Sequence, residues 1–222
     1  MLENIAHQWR QPLSQINSSI LVIDEILSES NFNNLEVNTK LNEIETMTKY
    51  MSHTIDDFKN FVSVDKTKTK FNIIKTIEKS IEIVDAAFIY ENIDLILKYN
   101  KENIIYKGFP NNLQQVLLVV LNNAKDAFNL RKIKKGVVVI EVTKINKECI
   151  ISISDNTGGI DEKIKDKIFE PYFTTKHPNV GTGLGLYISR KLLEKTMNGS
   201  IKVVNRNQSA NFIITLKEED EK

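Results

Sequence analysis

Features that mark several protein classes are scarce or missing in this sequence of 222 residues. Only 8 glycines and 4 prolines are present, which excludes collagen-like and low-complexity chains. No apolar run approaches the roughly 18 to 20 residues that a membrane-spanning helix needs, and the N-terminus lacks a signal-peptide pattern. We therefore expect a cytoplasmic protein that makes no membrane contact in this region.

The single cysteine, Cys149, excludes an internal disulfide. Cys149, Ile151 and Ile153 occupy every second position, as in a strand that buries one face. We therefore expect a buried structural cysteine, and zinc binding and redox chemistry are set aside.

An excess of charge of one sign is also lacking, because the formal net charge is +1. Residues 1–63 hold 4 basic against 9 acidic residues, whereas residues 71–222 hold 23 against 19. The positive charge forms no basic stripe interleaved with aromatic residues, so no nucleic-acid partner is expected. Hydrophobic residues make up 41% of the chain, which is enough for a sizeable core.

The first 63 residues predict two long amphipathic helices. Apolar positions recur at alternating steps of three and four from Ile5 to Leu27, and again from Leu41 to Val62. Polar residues 28–34 separate the two stripes, and Pro12 predicts a bend in the first helix. An antiparallel hairpin leaves one side of its apolar seam open, so we predict a homodimer that forms a four-helix bundle. Docking of the hairpin on the rest of the chain is the alternative.

Residues 65–70 are polar and basic, and they predict a linker over residues 64–70 to a second domain over residues 71–222. Strands joined by short turns, with helices grouped between them, predict an α+β two-layer sandwich with helices on one face of a mixed sheet. The expected helices cover residues 72–88, 111–130 and 184–197, with a short one at 164–169. The expected strands cover residues 93–98, 137–143, 149–154, 200–204 and 211–216.

Three glycines at alternate positions, Gly181, Gly183 and Gly185, stand immediately before a predicted helix. Glycine lets the backbone approach a ligand closely, and the free amides of a helix N-terminus favour phosphate. The pattern is neither a Walker loop nor a Rossmann fingerprint. A flexible turn is the alternative interpretation.

Two polar positions interrupt apolar elements of the second domain. Asp155 follows a predicted apolar strand, where its carboxylate can accept a hydrogen bond from an exocyclic amine such as that of adenine. Asn122 and Asn123 interrupt an apolar helix face, and an asparagine oxygen is a suitable ligand for Mg²⁺. The alternatives are a strand-to-turn aspartate and a capping or core asparagine.

The aromatic segment 168–176, which ends in hydroxyl groups and a lysine, predicts the hinge of a mobile lid over a phosphate-bearing ligand. A packed aromatic corner is the alternative. In the first helix, His7 lies off the apolar stripe, with Arg10 at i+3. A lone exposed histidine is usually inert, but the neighbouring arginine and Pro12 favour a function here.

In this order the motifs resemble a sensor histidine kinase, in which a dimerisation and phosphoacceptor hairpin precedes an ATP-binding domain of the gyrase and chaperone type. The resemblance spans nearly the whole chain. It implies His7 as phosphoacceptor, accompanied by Gln8, Arg10 and Gln11, and Mg²⁺ held by Asn123. It also implies ATP binding by Asn123, Asp126, Asp155, Gly159, Phe173, Thr174, Thr175, Lys176, Gly181, Thr182, Gly183, Leu184, Gly185 and Leu186.

The sequence departs from the family pattern at three positions. Gln8 stands where an acidic general base is common, so the resemblance implies slower transfer or a substitute such as Glu3, at i−4 from His7. Val119 replaces a polar residue of the asparagine motif, and Thr157 replaces the first glycine of the adenine motif. The chain begins six residues before His7, so we expect a fragment of a longer receptor, with any sensor domain and membrane anchor upstream.

The resemblance implies autophosphorylation of His7 by ATP, followed by transfer to an aspartate of a response-regulator receiver domain. Gln11 could also orient water for dephosphorylation of that regulator. An ATP hydrolase of the same superfamily is the first alternative, but it needs a glutamate where Val119 stands. A dimeric scaffold without activity is the second alternative, against which the retained Asn123, Asp155 and glycines argue.

Overall fold

The computed structural model describes residues 2–30, 34–62, 67–176, 181–207 and 209–218. They form two compact units, one of residues 1–64 with 171–184 and one of residues 65–170 with 185–222. Over the part of the chain that the structure describes, no helix is both long and apolar enough to cross a membrane.

The first unit contains two helices of equal length, α1 (Leu2–Glu29) and α2 (Leu35–Val62). Leu13 is buried against Ile55, and Thr48 donates a hydrogen bond from its hydroxyl to the Asn17 side-chain oxygen. From Leu13 to Asn17 the contacts move forward along α1, while their partners move backward along α2 from Ile55 to Thr48, so the two helices are antiparallel. The α1 helix continues through Pro12.

The second unit contains seven described strands: β1 (Thr69–Asn72), β2 (Ile93–Tyr99), β3 (Ile105–Gly108), β4 (Gly136–Ile145), β5 (Glu148–Asp155), β6 (Gly199–Arg206) and β7 (Ser209–Lys217). Five of them form a mixed sheet in the order β2-β4-β5-β7-β6. Its strands pair antiparallel except β2 with β4, which are parallel. Strands β1 and β3 form a separate antiparallel pair.

One face of the five-stranded sheet forms the core. Ile140, Ile153 and Phe212 lie side by side across β4, β5 and β7, and all three are buried. The helices α3 (Ile73–Tyr90), α4 (Pro110–Arg131) and α5 (Gly185–Thr196) pack in that order, α3 against β2 and α5 against β6. This α/β arrangement agrees with the predicted two-layer sandwich, because alternating strands with one apolar face require a covering layer.

Cys149 lies on this core face and is 1% exposed, as the alternation around it predicted. Burial raises the pKa of its thiol to about 11, while the nearby Lys144 lowers it and Glu218 raises it. The thiol is therefore protonated at neutral pH and inert.

Three sequence-based predictions about elements need correction. The two short strands β1 and β3 were not predicted, and β1 begins at Thr69, inside the stretch assigned to the linker. The short helix expected over residues 164–169 is a one-turn 3₁₀ helix over Lys167–Phe169, preceded by turns. A strand of four residues has too few alternating positions to be distinguished from a loop by its sequence pattern.

Candidate nucleotide-binding site

Asp155 occupies the last position of β5, on the core face of the sheet opposite Val138. Its side chain is 6% exposed. Carboxylate Oδ1 accepts hydrogen bonds from the Thr157 backbone N at 2.9 Å and from the Thr157 hydroxyl at 2.5 Å. These two bonds orient the carboxylate at the strand end.

The second carboxylate oxygen of Asp155 is available to a ligand. Among the described residues, every hydrogen bond to Asp155 goes to Oδ1. No fully buried side-chain polar atom of the described residues lacks a partner, so Oδ2, which has none, is not fully buried. A largely buried carboxylate with one free oxygen can accept a hydrogen bond from the amino group of a base.

The loop after Asp155 contains two glycines with left-handed backbone, Gly158 at φ +101° and Gly159 at φ +83°. The Arg131 guanidinium donates to the Thr157 carbonyl and, at 2.7 Å, to the Gly159 carbonyl. Asn205 on β6 donates to the Ile160 carbonyl at 2.6 Å and accepts from the Ile160 backbone N at 2.9 Å. Side chains from two elements therefore hold this loop.

Asn123 and Asp126 lie one turn apart on α4, and both side chains are half-buried. The neighbouring Asn122 is exposed, so only one asparagine of the pair faces the interior. Val119, one turn before Asn123, lies under the first residue of α5, because a Cβ on Gly185 would be 3.1 Å from Val119 Cγ1. The N-terminus of α5 thus abuts α4 one turn from Asn123.

The donor set at this position fits a magnesium ion bound together with phosphates. No group of three or more His, Cys, Asp or Glu side chains that could hold a metal occurs in the described ranges. Mg²⁺ is usually held by one or two protein oxygens, waters and substrate phosphates, not by a cage of protein ligands. Asn123, with Asp126 one turn away, supplies oxygen ligands of that kind.

Two glycines of the alternating run, Gly181 and Gly183, are required by close contacts inside the chain. A Cβ on Gly183 would be 2.4 Å from the Tyr172 carbonyl carbon, and its φ is +65°. A Cβ on Gly181 would be 2.6 Å from Thr174 Oγ1. Leu184 is buried, and its backbone N donates to Thr182 Oγ1 at 3.3 Å, just before α5 begins. The segment is therefore closely packed, which argues against the flexible-turn alternative.

The aromatic segment packs against these glycines within the first unit. Tyr172 has φ +65° and is exposed, whereas Phe173 and Thr174 are half-buried. Thr174 Oγ1 accepts from the Lys176 backbone N at 3.1 Å. Thr175 is exposed, and residues 177–180 lie outside the described ranges, so the predicted lid movement stays a prediction. Leu186, in the first turn of α5, is half-buried.

The predicted phosphoacceptor motif lies within α1. His7, Gln8, Arg10 and Gln11 are all helical, but their side chains lie outside the described parts of the structure. On a continuous helix His7 and Gln11 are one turn apart and Arg10 is at i+3, so the three share one side. The bend at Pro12 stays a prediction.

Arg131 and Asn205 were missed by sequence reasoning, although both contact the loop after Asp155 directly. Nothing local marks them, because their hydrogen bonds span 26 to 28 and 45 residues of sequence. Thr157 was noticed only as a departure from a glycine. Its backbone N and its hydroxyl both bond to Asp155.

Comparison with known proteins places these features in a family context. The model of the histidine kinase-, DNA gyrase B- and HSP90-like ATPase family matches residues 108–220. The signal transduction histidine-protein kinase AtoS of Escherichia coli (strain K12) is 28% identical over 206 residues, which cover 92% of this chain and 32% of AtoS. The chain thus spans less than a third of that relative's length.

Two solved structures resemble most of the chain. Full-length ShkA in complex with AMPPNP is 19% identical at a TM-score of 0.70, covering 97% of this chain and 45% of ShkA. Histidine kinase ThkA in complex with the response regulator TrrA is 23% identical at a TM-score of 0.64, covering 97% of this chain and 60% of that one. At these identities the likeness concerns the fold.

Proposed function

The chain belongs to the histidine kinase-, DNA gyrase B- and HSP90-like ATPase family, and we propose that it is the kinase core of a two-component sensor. Residues 71–222 bind ATP with Mg²⁺, and the γ-phosphoryl group is transferred to His7 in the hairpin of residues 1–63. The phosphoryl group then passes to an aspartate of a response-regulator receiver domain. The activity is that of a protein-histidine kinase.

The observation that carries this proposal is the Asp155 carboxylate. It is buried at the end of β5, with Oδ1 held by Thr157 and Oδ2 left to a ligand. A buried carboxylate favours a base whose amino group can donate a hydrogen bond to it. A base with a carbonyl at that position has no donor to offer, so neither oxygen finds a partner. Adenine meets this requirement, which agrees with an ATPase family.

The phosphate end of the site is assigned to α4 and the start of α5. The backbone N–H groups of the first turn of α5, including Gly185 and Leu186, have no intrahelical acceptor and favour an anion. Asn123 would hold the magnesium ion, whose charge offsets that of the phosphates. The family resemblance also assigns phosphate contacts to the glycine run, Thr174 and Lys176.

At His7 the chemistry needs little assistance from a base. In its neutral form an imidazole carries a free electron pair on one ring nitrogen. That pair forms the N–P bond while the bond from the γ-phosphorus to the bridging oxygen breaks and ADP leaves. Gln8 cannot accept the ring proton, which Glu3 at i−4 or water would take, and Arg10 would steady the transferred charge.

Hydrolysis of ATP is the less favoured outcome for this site. Water has to be activated by a carboxylate near the asparagine motif, and the corresponding residue is Val119. Its methyl groups lie against the N-terminus of α5, where a Cβ on Gly185 would be 3.1 Å away. An aliphatic side chain cannot accept a proton, so transfer to histidine is the expected reaction.

The proposed partners are a second copy of this chain and a receiver domain. The ThkA structure contains a response regulator, and its fold covers 97% of this chain, which supports a partner of the same class. Gln11, one turn after His7, can both donate and accept hydrogen bonds, so it could orient a water molecule toward an aspartyl phosphate. The protein would then also dephosphorylate its regulator.

The test is incubation of the purified chain with γ-³²P-labelled ATP and Mg²⁺. We expect a label that survives base, is lost in acid and is absent from His7→Ala, while His7→Ala still binds nucleotide. Asn123→Ala should lose labelling and Asp155→Asn should lose nucleotide affinity. The exposed neighbour Asn122→Ala is the matched control and should behave as wild type. Normal labelling of His7→Ala would refute the phosphoacceptor assignment.

A further inference from the structure

Arg131, the last residue of α4, holds the middle of the loop after Asp155, on the adenine side of the proposed site. Its Nη2 donates to the Gly159 carbonyl at 2.7 Å, and its Nη1 donates to the Thr157 carbonyl. The two carbonyls are two residues apart and flank Gly158. A planar guanidinium satisfies both through its fork of N–H donors, which a lysine ammonium cannot reproduce with the same geometry.

The loop that Arg131 holds has little stiffness of its own. Gly158 and Gly159 both have left-handed backbone, and glycine loses more conformational freedom on ordering than any other residue. A Cβ at Gly158 would be 3.0 Å from Arg131 Nη1, so the guanidinium lies directly against the backbone. Asn205 holds the far end of the loop through Ile160. The near end is held at Asn156, which forms hydrogen bonds with Lys135 and Val137. Arg131 holds the stretch between these two ends, at the Thr157 and Gly159 carbonyls.

Thr157 connects the Arg131 guanidinium to the Asp155 carboxylate. Its carbonyl oxygen accepts from Arg131, while its backbone N and hydroxyl both donate to Asp155 Oδ1. Moving the Thr157 backbone therefore rotates or releases the carboxylate, and with it the free Oδ2. Arg131 thus acts on the ligand through Thr157 and needs no contact of its own with the nucleotide.

We propose that Arg131 is a positioning residue that presets the Asp155 carboxylate and thereby sets the preference for a base carrying a 6-amino group. This rests on the proposed function, because it takes Asp155 as the adenine acceptor. A preset acceptor discriminates strongly between an amino group and a carbonyl, whereas a mobile one turns away from the mismatch at small cost. Loss of Arg131 should therefore reduce discrimination as well as affinity.

The experiment measures the Kd of ADP and of IDP, with Mg²⁺, by calorimetry on the full chain. IDP carries a carbonyl in place of the 6-amino group, so the ratio of the two Kd values reports the position of the carboxylate. We expect Arg131→Ala to raise the Kd of ADP about tenfold and that of IDP less than about threefold. Arg131→Lys should lie between Arg131→Ala and wild type.

Lys134→Ala is the matched control, because it removes an exposed cation from the turn that follows α4 and should leave both constants within about twofold. A general loss of folded protein would weaken both nucleotides alike and leave the ratio unchanged. A wild-type ratio in both Arg131 variants would therefore overturn the inference. Should Arg131→Ala fail to fold, Arg131→Lys decides by the same ratio.

Asp155→Asn distinguishes an error in the proposed adenine site from an error in the role of Arg131. If Asp155→Asn keeps the preference for ADP over IDP, the adenine site of the proposed function is wrong. If Asp155→Asn loses that preference while both Arg131 variants keep it, only the role of Arg131 is wrong.

Discussion

Thr157 stands where the adenine motif of related kinases commonly has glycine, and the structure explains why a threonine is accommodated. The left-handed backbone of the loop falls at Gly158 and Gly159, so the Thr157 position does not require glycine. The side chain also contributes, because its hydroxyl donates to Asp155 Oδ1. Threonine at position 157 is therefore compatible with the candidate site, and it adds a hydrogen bond to Asp155.

Cys149 offers a prediction about pH. Burial raises the pKa of its thiol from 9.0 to about 11, so the thiol stays protonated to a higher pH in the folded protein than in the unfolded chain. Stability should therefore be unaffected below about pH 9 and should fall between about pH 9 and pH 11, by up to about 1.4 kcal/mol per pH unit. Urea unfolding at pH values from 8 to about 11 measures it.

Cys149→Val is the control for this prediction, because it removes the thiol and leaves every other titrating group in place. Its stability should fall less steeply than that of wild type over the same pH interval. Equal slopes for the two proteins would contradict the assigned origin of the effect.

Helix α4 carries several of the proposed functional positions along one element. Val119 and Asn123 are one turn apart, Asp126 follows one turn later, and Arg131 ends the helix. A rigid helix therefore connects the proposed magnesium ligand to the residue that holds the adenine loop. The start of α5 packs on the same helix at Val119, one turn from the proposed magnesium ligand Asn123.

The close packing of the glycine run before α5 predicts that a substitution at Gly183 lowers nucleotide affinity. Gly183→Ala should distort the segment, because the new Cβ would lie 2.4 Å from the Tyr172 carbonyl carbon at a φ of +65°. Such backbone strain costs on the order of 1–3 kcal/mol. We expect nucleotide affinity to fall about tenfold or more, measured by calorimetry with ADP and Mg²⁺.

Gly185→Ala is the comparison for this variant. Its Cβ would approach only Val119 Cγ1, at 3.1 Å, and its backbone is not left-handed. A small shift of the valine relieves that contact, so the loss of affinity should be clearly smaller. Equal effects of the two substitutions would show that packing against Tyr172 is not the cause.

For the whole molecule, the apolar surface left on the hairpin is the main indication of a larger assembly. Leu13 and Ile55 are buried against each other, but other stripe positions are about half exposed: Ile16 at 42%, Ile23 at 44%, Ile44 at 43% and Met51 at 51%. Two helices cannot cover both stripes, and a second hairpin would. The proposed homodimer follows from this open seam.

Ile44→Lys tests the dimer without disturbing the contact inside the hairpin. A lysine in a buried seam has no partner, which costs several kcal/mol, so we expect the dimer to dissociate at concentrations where wild type is dimeric. Sedimentation velocity measures the assembly and circular dichroism checks that the helices remain. Thr39→Lys, at an exposed polar position of α2, should stay dimeric. If Ile44→Lys sediments like wild type, the apolar seam around Ile44 is not the dimer interface.

The regular elements could be predicted from the sequence because their periodicity reflects burial of one face. The hairpin helices, α3 to α5 and the five strands of the main sheet lie within a few residues of their predicted positions. The glycine run, Asp155 and Asn123 could also be selected, because glycine before a helix and polar residues in apolar elements are unusual locally. These features depend on a few neighbouring residues, so a linear pattern contains them.

Tertiary structure alone decided how these pieces are held together. The pairing of β1 with β3 joins segments more than thirty residues apart, and the contacts of Arg131 and Asn205 with the loop after Asp155 depend on which elements become neighbours. It also decided that Gly183 is required by the Tyr172 backbone and that only one oxygen of Asp155 is occupied. Local propensity and periodicity cannot encode such contacts, because each depends on distances between residues that the fold brings together.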